Sequence, residues 1–177
     1  MSIAPRLYNY LNQAQVDYDV LAHGFTESAY DSACVSRLPS SNVVKAVLLK
    51  DRFGSSNPHY VIAAIPAGNK LKIPWVNQEL QRDLVLAEEV ELASLFPDCL
   101  LGAVPAMAQA YNIQLIWDDQ LARQPELYFE GGNHEELIHI HGDQFPPLFD
   151  AYPHTVISLP AESYSIYHAD EIRSGMD

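Results

Sequence analysis

The sequence predicts an α+β domain: a curved, mixed, mostly antiparallel sheet flanked by helices. Three observations predict it. Several short runs alternate apolar and polar residues as strands do, glycine- and proline-bearing turns join them, and runs of helical period interrupt them. One domain is expected of 177 residues that are 48% hydrophobic, enough to bury a core.

Leu7, Tyr8 and Leu11, with polar residues between them, predict an amphipathic helix over 5–15. Residues 18–21 alternate as a short strand. Thr26 or Ser28 caps a second helix running to about Arg37, which Leu38-Pro39 ends. A strand over 43–50 is followed by a turn at 52–58, rich in Gly, Ser and Asn, and by an antiparallel partner over 59–65. Pro66-Ala67-Gly68-Asn69 turns the chain again, and Pro74 and Trp75 open a helix to about Arg82. A strand at 84–87 precedes a helix at 88–96, whose acidic first turn suits the positive end of the helix dipole. After a loop over 97–109 come strands at 113–117 and 126–129, a turn at 131–134, a strand at 136–141 and a short helix at 145–152. Residues 1–152 make up the expected domain, and 153–177 form a C-terminal tail to which the pattern gives no role.

The start MSIAPRLYNYLNQ lacks the basic-then-apolar order of a signal peptide, and no apolar run is long enough to span a bilayer. Two cysteines, Cys34 and Cys99, without framework spacing fit buried thiols in a reducing compartment, so a cytoplasmic location is expected. The formal charge is −13, but its distribution is uneven. Seven of the ten basic residues fall between Arg37 and Arg82, giving that stretch +5 and the rest of the chain −18. Such a segment either steers a polyanion to one face or scatters over ordinary solvated faces.

Lys45 lies inside an apolar strand, on one face with Val43, Val47 and Leu49. An ammonium there must reach water or meet a partner. It is either a ligand for phosphate or carbonyl groups or a guard on a sheet edge. Gly131-Gly132-Asn133-His134 reads as a hairpin turn with an incidental histidine, or as a turn that lets a ligand approach the backbone beside His134. His139 and His141 share one strand face and with His134 could be weighed as metal ligands, but no further ligand cluster stands nearby in sequence. No metal and no cofactor are therefore expected. Phosphate-binding glycine motifs, a nucleophile elbow and HExxH are absent.

Taken in order, four pieces resemble the YbaK/prolyl-tRNA-synthetase-associated family of editing domains. They are VVKAVLLK at 43–50, YVIAAIPAGNKLKI at 60–73, EEVELASLFPDCLLGAVPA at 88–106 and YFEGGNHEELIHI at 128–140, and the likeness spans roughly residues 8–149. The resemblance implies a single domain with its pocket against the sheet, acting in the cytoplasm on aminoacyl-tRNA. Relatives hydrolyse the ester of an amino acid wrongly attached to tRNA. The family's pocket lysine falls on Lys45, its loop glycine on Gly102 and its turn histidine on His134. Ala103, Val104, Pro105, Gly131, Gly132 and Lys70 are implied to line the substrate. No side chain is implied as nucleophile: backbone groups position the ester, and water attacks with help from the terminal ribose hydroxyl.

The implied activity is metal-independent trans-editing of the tRNA 3′ end, with a synthetase or the elongation machinery as further partners. Two departures favour an alternative, a catalytically silent binding or regulatory module. Many relatives read Gly-Ala-Val-Pro-Pro-Phe-Gly where this chain has Gly102-Ala103-Val104-Pro105-Ala106-Met107-Ala108, which predicts a looser loop in which Ala108 resists positive φ. Ala46 also stands where many relatives place a polar Thr or Asn.

Overall fold

Alternation along one central strand decides the architecture. A computed structural model describes residues 3–54 and 59–161. Its elements are α1 (Pro5–Gln13), β1 (Asp19–Ala22), α2 (Ala29–Val35), β2 (Val43–Asp51), β3 (Tyr60–Pro66), β4 (Asn69–Leu71), α3 (Ile73–Leu80), β5 (Leu84–Leu86), α4 (Glu89–Leu95), β6 (Gln114–Asp118), β7 (Glu126–Glu130), β8 (Glu136–His141), α5 (Phe145–Phe149), β9 (His154–Thr155) and β10 (Ser158–Pro160). The strands order as β1-β8-β7-β2-β3-β6-β9, with β5 also on β2 and a separate β10-β4 pair. The β2–β7, β3–β6 and β6–β9 contacts are parallel and the others antiparallel, so the sheet is mixed and mostly antiparallel, as predicted.

Both faces of β2 are covered. Val44, Ala46 and Leu48 meet a layer containing Leu7 and Leu11 of α1, Met107, and Phe145 and Phe149 of α5. Leu7 and Leu11 are fully buried, worth about 1.5–3 kcal/mol each. On the opposite face Val43 packs with Ala29 and Ala33 of α2, while Leu49 packs with Val61, Ile65 and Val76 of α3. Lys45 belongs to this second face, between the two patches.

The edge of β2 is divided at the same place. Val43 and Val44 pair with Tyr128 and Phe129 of β7, whereas Leu49–Asp51 pair with β5. Among the described residues no strand pairs with that edge from Lys45 to Val47, and the Leu48 carbonyl accepts the Ala87 N–H at 3.0 Å just beyond β5. Of the two caps considered for the second helix, Ser28 is the one used: its Oγ accepts the Asp31 backbone N–H at 3.1 Å. Glu88 and Glu91 form a reciprocal capping box on α4.

The chain departs from expectation at its C-terminal side. Residues 66–69 do more than turn, because Asn69 begins β4, and β4 pairs with β10 from a segment left unassigned by pattern. Asp118 draws that segment in. Its buried carboxylate accepts from the Ile157 N–H at 3.0 Å and the Ser158 hydroxyl at 2.6 Å. Part of the turn at 52–58 and the tail from 162 onward lie outside the described residues.

Candidate active site

A cleft of about 510 Å³ opens beside Lys45, walled by Tyr30 of α2, Ser40, Ser41, Asn69 and Lys70 among others. Among the described residues its wall includes no carboxylate, on a chain of net charge −13. The Lys45 ammonium donates to the Asn69 carbonyl at 2.8 Å. The Asn69 side chain donates in turn to Ser158 Oγ at 3.0 Å and Gln120 Oε1 at 3.3 Å, so β10 braces the lysine's partner. Burial, and then the nearby Lys70 charge, pull the Lys45 pKa below its ordinary value. A bound anion would offset both causes. A Cβ at Gly68 would stand 2.5 Å from Ser40 Oγ and 3.1 Å from Ser40 Cβ, so Ser40 would have to shift to admit one.

Gly102 and His134 form a second group. Gly102 has φ +84°, and a Cβ there would lie 2.7 Å from the Glu27 carbonyl and 3.0 Å from the His134 ring. His134 itself adopts φ +66°, a backbone that costs a non-glycine residue about 1–3 kcal/mol. It is tied by the Thr26 N–H, which donates to the His134 carbonyl at 3.2 Å, and by Phe25, whose ring centroid lies 5.1 Å away.

Beside this group lies an acid that the sequence reading missed. Glu130 is buried, and Ser32 of α2 donates to its Oε1 at 2.8 Å while Oε2 has no partner. Burial raises its pKa; the Ser32 hydrogen bond and then the charges of His23 and His134 oppose that shift. The His23 Nε2 is likewise buried without a partner. Alternation from Phe129, which shares the face of its partner Val44, puts Glu130 on the other face of the sheet, the one that bears α2 and also Lys45. Period-2 alternation from Tyr128 was the available signal, but an acid at a strand end before Gly-Gly reads as solvated.

The expected residues are therefore shared between two places. Lys45 and Lys70 line the cleft; Gly102 touches His134; and α2 contributes Tyr30 to the one and Ser32 to the other. Ala103, Val104 and Pro105 are buried, and Val104 joins the core on the face opposite Lys45. Gly131 and Gly132 meet the chain itself: Ala4 N–H donates to the Gly131 carbonyl at 2.8 Å and Leu100 N–H to the Gly132 carbonyl at 2.8 Å. A Cβ on Gly132 would lie 2.9 Å from Ala4 Cβ, so close packing accounts for that glycine.

Three expectations change. Ala108 needs no positive φ: it opens a short 3-10 turn and is fully buried with Ala106 and Met107, so small side chains fit this loop. The basic stretch is not one open face, since Lys50 pairs with Glu91 at 2.9 Å, Arg52 with Asp83 at 3.0 Å and Arg82 with Asp51 at 2.8 Å. The three histidines weighed together are separated, with His139 and His141 converging on Glu126 and His134 elsewhere. Burial pushes the Cys99 thiol up to about 12, leaving it unsuited to nucleophilic attack.

A family model described as the aminoacyl-tRNA editing domain matches residues 26–146. No curated protein matches the chain. Among solved structures, the hypothetical protein APE2540 superposes with a TM-score of 0.75 at 19% identity, covering 87% of this chain and 99% of that one. A protein described as a candidate trans-editing enzyme for prolyl tRNA synthetase gives 0.69 at 17%, covering 88% and 96%. A protein from Marinobacter aquaeolei VT8 assigned to signal transduction gives 0.66 at 14%, covering 87% of this chain but 30% of its own. At these identities the likeness is one of fold.

Proposed function

Because the chain belongs to the aminoacyl-tRNA editing domain family, we propose that it is a trans-editing hydrolase that removes wrongly attached amino acids from tRNA. The observation that carries this reading is the cleft: two lysines and no carboxylate among its described walls, on an otherwise acidic chain. Such a cleft attracts the phosphates and ribose of a tRNA 3′ end and repels little of it.

In the proposed reaction, water adds to the ester carbonyl, the bond from that carbon to the ribose oxygen breaks, and the proton passes to the leaving oxygen. Free amino acid and uncharged tRNA result. Lys45 offsets the negative charge that develops on the carbonyl oxygen or anchors the adjoining phosphate. The amino acid extends along α2 toward Glu130 and His134, where the buried acid and the imidazole shape its surroundings. No side chain need attack, in keeping with the raised Cys99 pKa.

A panel of mischarged tRNAs tests the proposal, with the Lys45→Ala protein as control. Release of one or a few amino acids, lost in the variant, supports it. Lys45-dependent binding of an aminoacyl-adenosine analogue without turnover would instead mark a silent binding module.

A further inference from the structure

We propose that Glu126, His139 and His141 form a binding site for a divalent late first-row metal ion of the zinc class. The site is independent of the proposed editing activity. One donor atom from each residue lies within 4.8 Å of the other two. Strand pairing makes this arrangement. Glu126 of β7 is the register partner of His141 on β8, and His139 is two residues back on the same face, opposite Tyr128. The third ligand was invisible along the chain because it comes from the neighbouring strand.

The donors are suited in kind and nearly in place. Two imidazoles and a carboxylate favour zinc-class ions over magnesium or calcium. Atoms bound to one zinc stand roughly 3.3 Å apart. Glu126 Oε2 lies 2.9 Å from His141 Nδ1 and 2.5 Å from His139 Nε2, so entry of an ion requires only a small separation.

A second observation points the same way. The other ring nitrogen of His139, Nδ1, lies 3.5 Å from Oδ2 of Asp19, its register partner on β1, an ion-pair contact that a small turn of the exposed Asp19 side chain brings to hydrogen-bond length. A metal-bound histidine is ordinarily held by such a carboxylate on its remaining N–H, which fixes the ring and its tautomer. Tyr128 stacks on the same ring at 4.7 Å and an interplanar angle of 20°. His141 is 59% exposed, giving the ion a path in and water a place in its coordination. An ion held here would join β1, β7 and β8 at one edge of the sheet. Glu126 lies two residues before Tyr128, the partner of Val43, and Lys45 two residues beyond Val43 on the parallel strand, so roughly 13 Å sets this site apart from Lys45.

The test uses the full chain stripped with chelator, titrated with zinc and, for its visible spectrum, cobalt(II). One equivalent should bind, with a d–d band of four- or five-coordinate cobalt, and zinc should raise Tm. His141→Ala, at an exposed position where folding is not at risk, should lower affinity more than tenfold and abolish the Tm rise. Asp19→Asn should weaken binding about tenfold through the outer contact, which chance binding to surface histidines would not show. His59→Ala, outside the cluster, should change nothing. Absence of stoichiometric binding near equimolar zinc, or binding indifferent to both His141→Ala and Asp19→Asn, would reduce the cluster to a set of ion pairs and overturn the proposal.

Discussion

Lys45 and Asn69 are joined by a single hydrogen bond of 2.8 Å, from an ammonium in the middle of the sheet to a backbone carbonyl at the start of β4. The bond fixes the lysine's direction without neutralising it, since a carbonyl carries no formal charge. Burial and Lys70 lower its pKa, so the charge is maintained at a cost that an incoming anion relieves.

Removing the charge should therefore affect chemistry more than folding. Lys45→Ala is expected to cost about 2–4 kcal/mol of transition-state stabilisation, roughly thirtyfold to a thousandfold in kcat/KM on the cognate mischarged tRNA. Single-turnover deacylation, with unfolding measured in parallel, separates the two effects. An unchanged rate would remove Lys45 from the site.

The ionic-strength dependence of tRNA binding should be shallow. With Lys50, Arg52 and Arg82 engaged by carboxylates, each cleft lysine that meets a phosphate contributes about −0.7 to the slope of log K against log salt on a single-stranded 3′ end. Lys70→Ala should reduce it by about 0.7. A slope several times steeper would mean that the wider basic stretch makes the contacts after all.

Gly102→Ala should weaken both the fold and the reaction. The new Cβ meets the Glu27 carbonyl and the His134 ring, and the backbone sits at φ +84°. A loss of about 1–3 kcal/mol is expected from the backbone conformation alone. Gly68→Ala, strained against Ser40 instead, offers a comparison on the cleft side.

Glu130 sets a pH dependence. Its folded pKa lies above the ordinary 4.5 because of burial. As pH climbs through 4.5 the unfolded chain releases this proton while the folded chain retains it, so the unfolded state binds fewer protons and stability falls from there up to the folded pKa. Glu130→Gln keeps an acceptor for Ser32 and removes the charge. It should be more stable than the native protein at neutral pH, with the difference closing as pH drops below 4.5, in urea titrations at stepped pH.

Much of the fold was legible because its cause is local. The alternation in β2, the Ser28 cap and the acidic first turn of α4 each lie within a few residues of the structure they produce. β9 and β10 were not legible, since strands of two and three residues carry no period and owe their place to Asp118, some forty positions earlier. For the candidate site, a charge inside an apolar strand singled out Lys45 but left ligand and edge guard equally open, and only the family resemblance favoured the ligand. Glu130 escaped because burial, and not its neighbours in sequence, makes it unusual. The sharing of the expected residues between a cleft and the Gly102–His134 contact is set by where α2 lies, which no local pattern encodes.

Asp118 offers a direct check on that long-range tie. Its carboxylate also accepts the Gln120 backbone N–H at 2.9 Å and the Gln120 side-chain amide at 2.9 Å. Asp118→Ala leaves these donors and those of Ile157 and Ser158 unserved, on the order of 3 kcal/mol or more. Because Ser158 and Gln120 brace Asn69, the variant should also bind the tRNA analogue less well at temperatures where it remains folded.

The parallel contact between β2 and β7 has a bearing on synthesis. Val43 and Val44 leave the ribosome more than eighty residues ahead of Tyr128 and Phe129, while β3 follows β2 closely enough to pair at once. Through that interval the Val43–Val44 end of one β2 edge is open on a nascent chain, since β5 covers only Leu49–Asp51, and contacts of such long sequence separation form slowly. That contact forms only after β7 emerges, so this end of β2 is where a stalled or truncated product would be exposed to aggregation and to capture by chaperones.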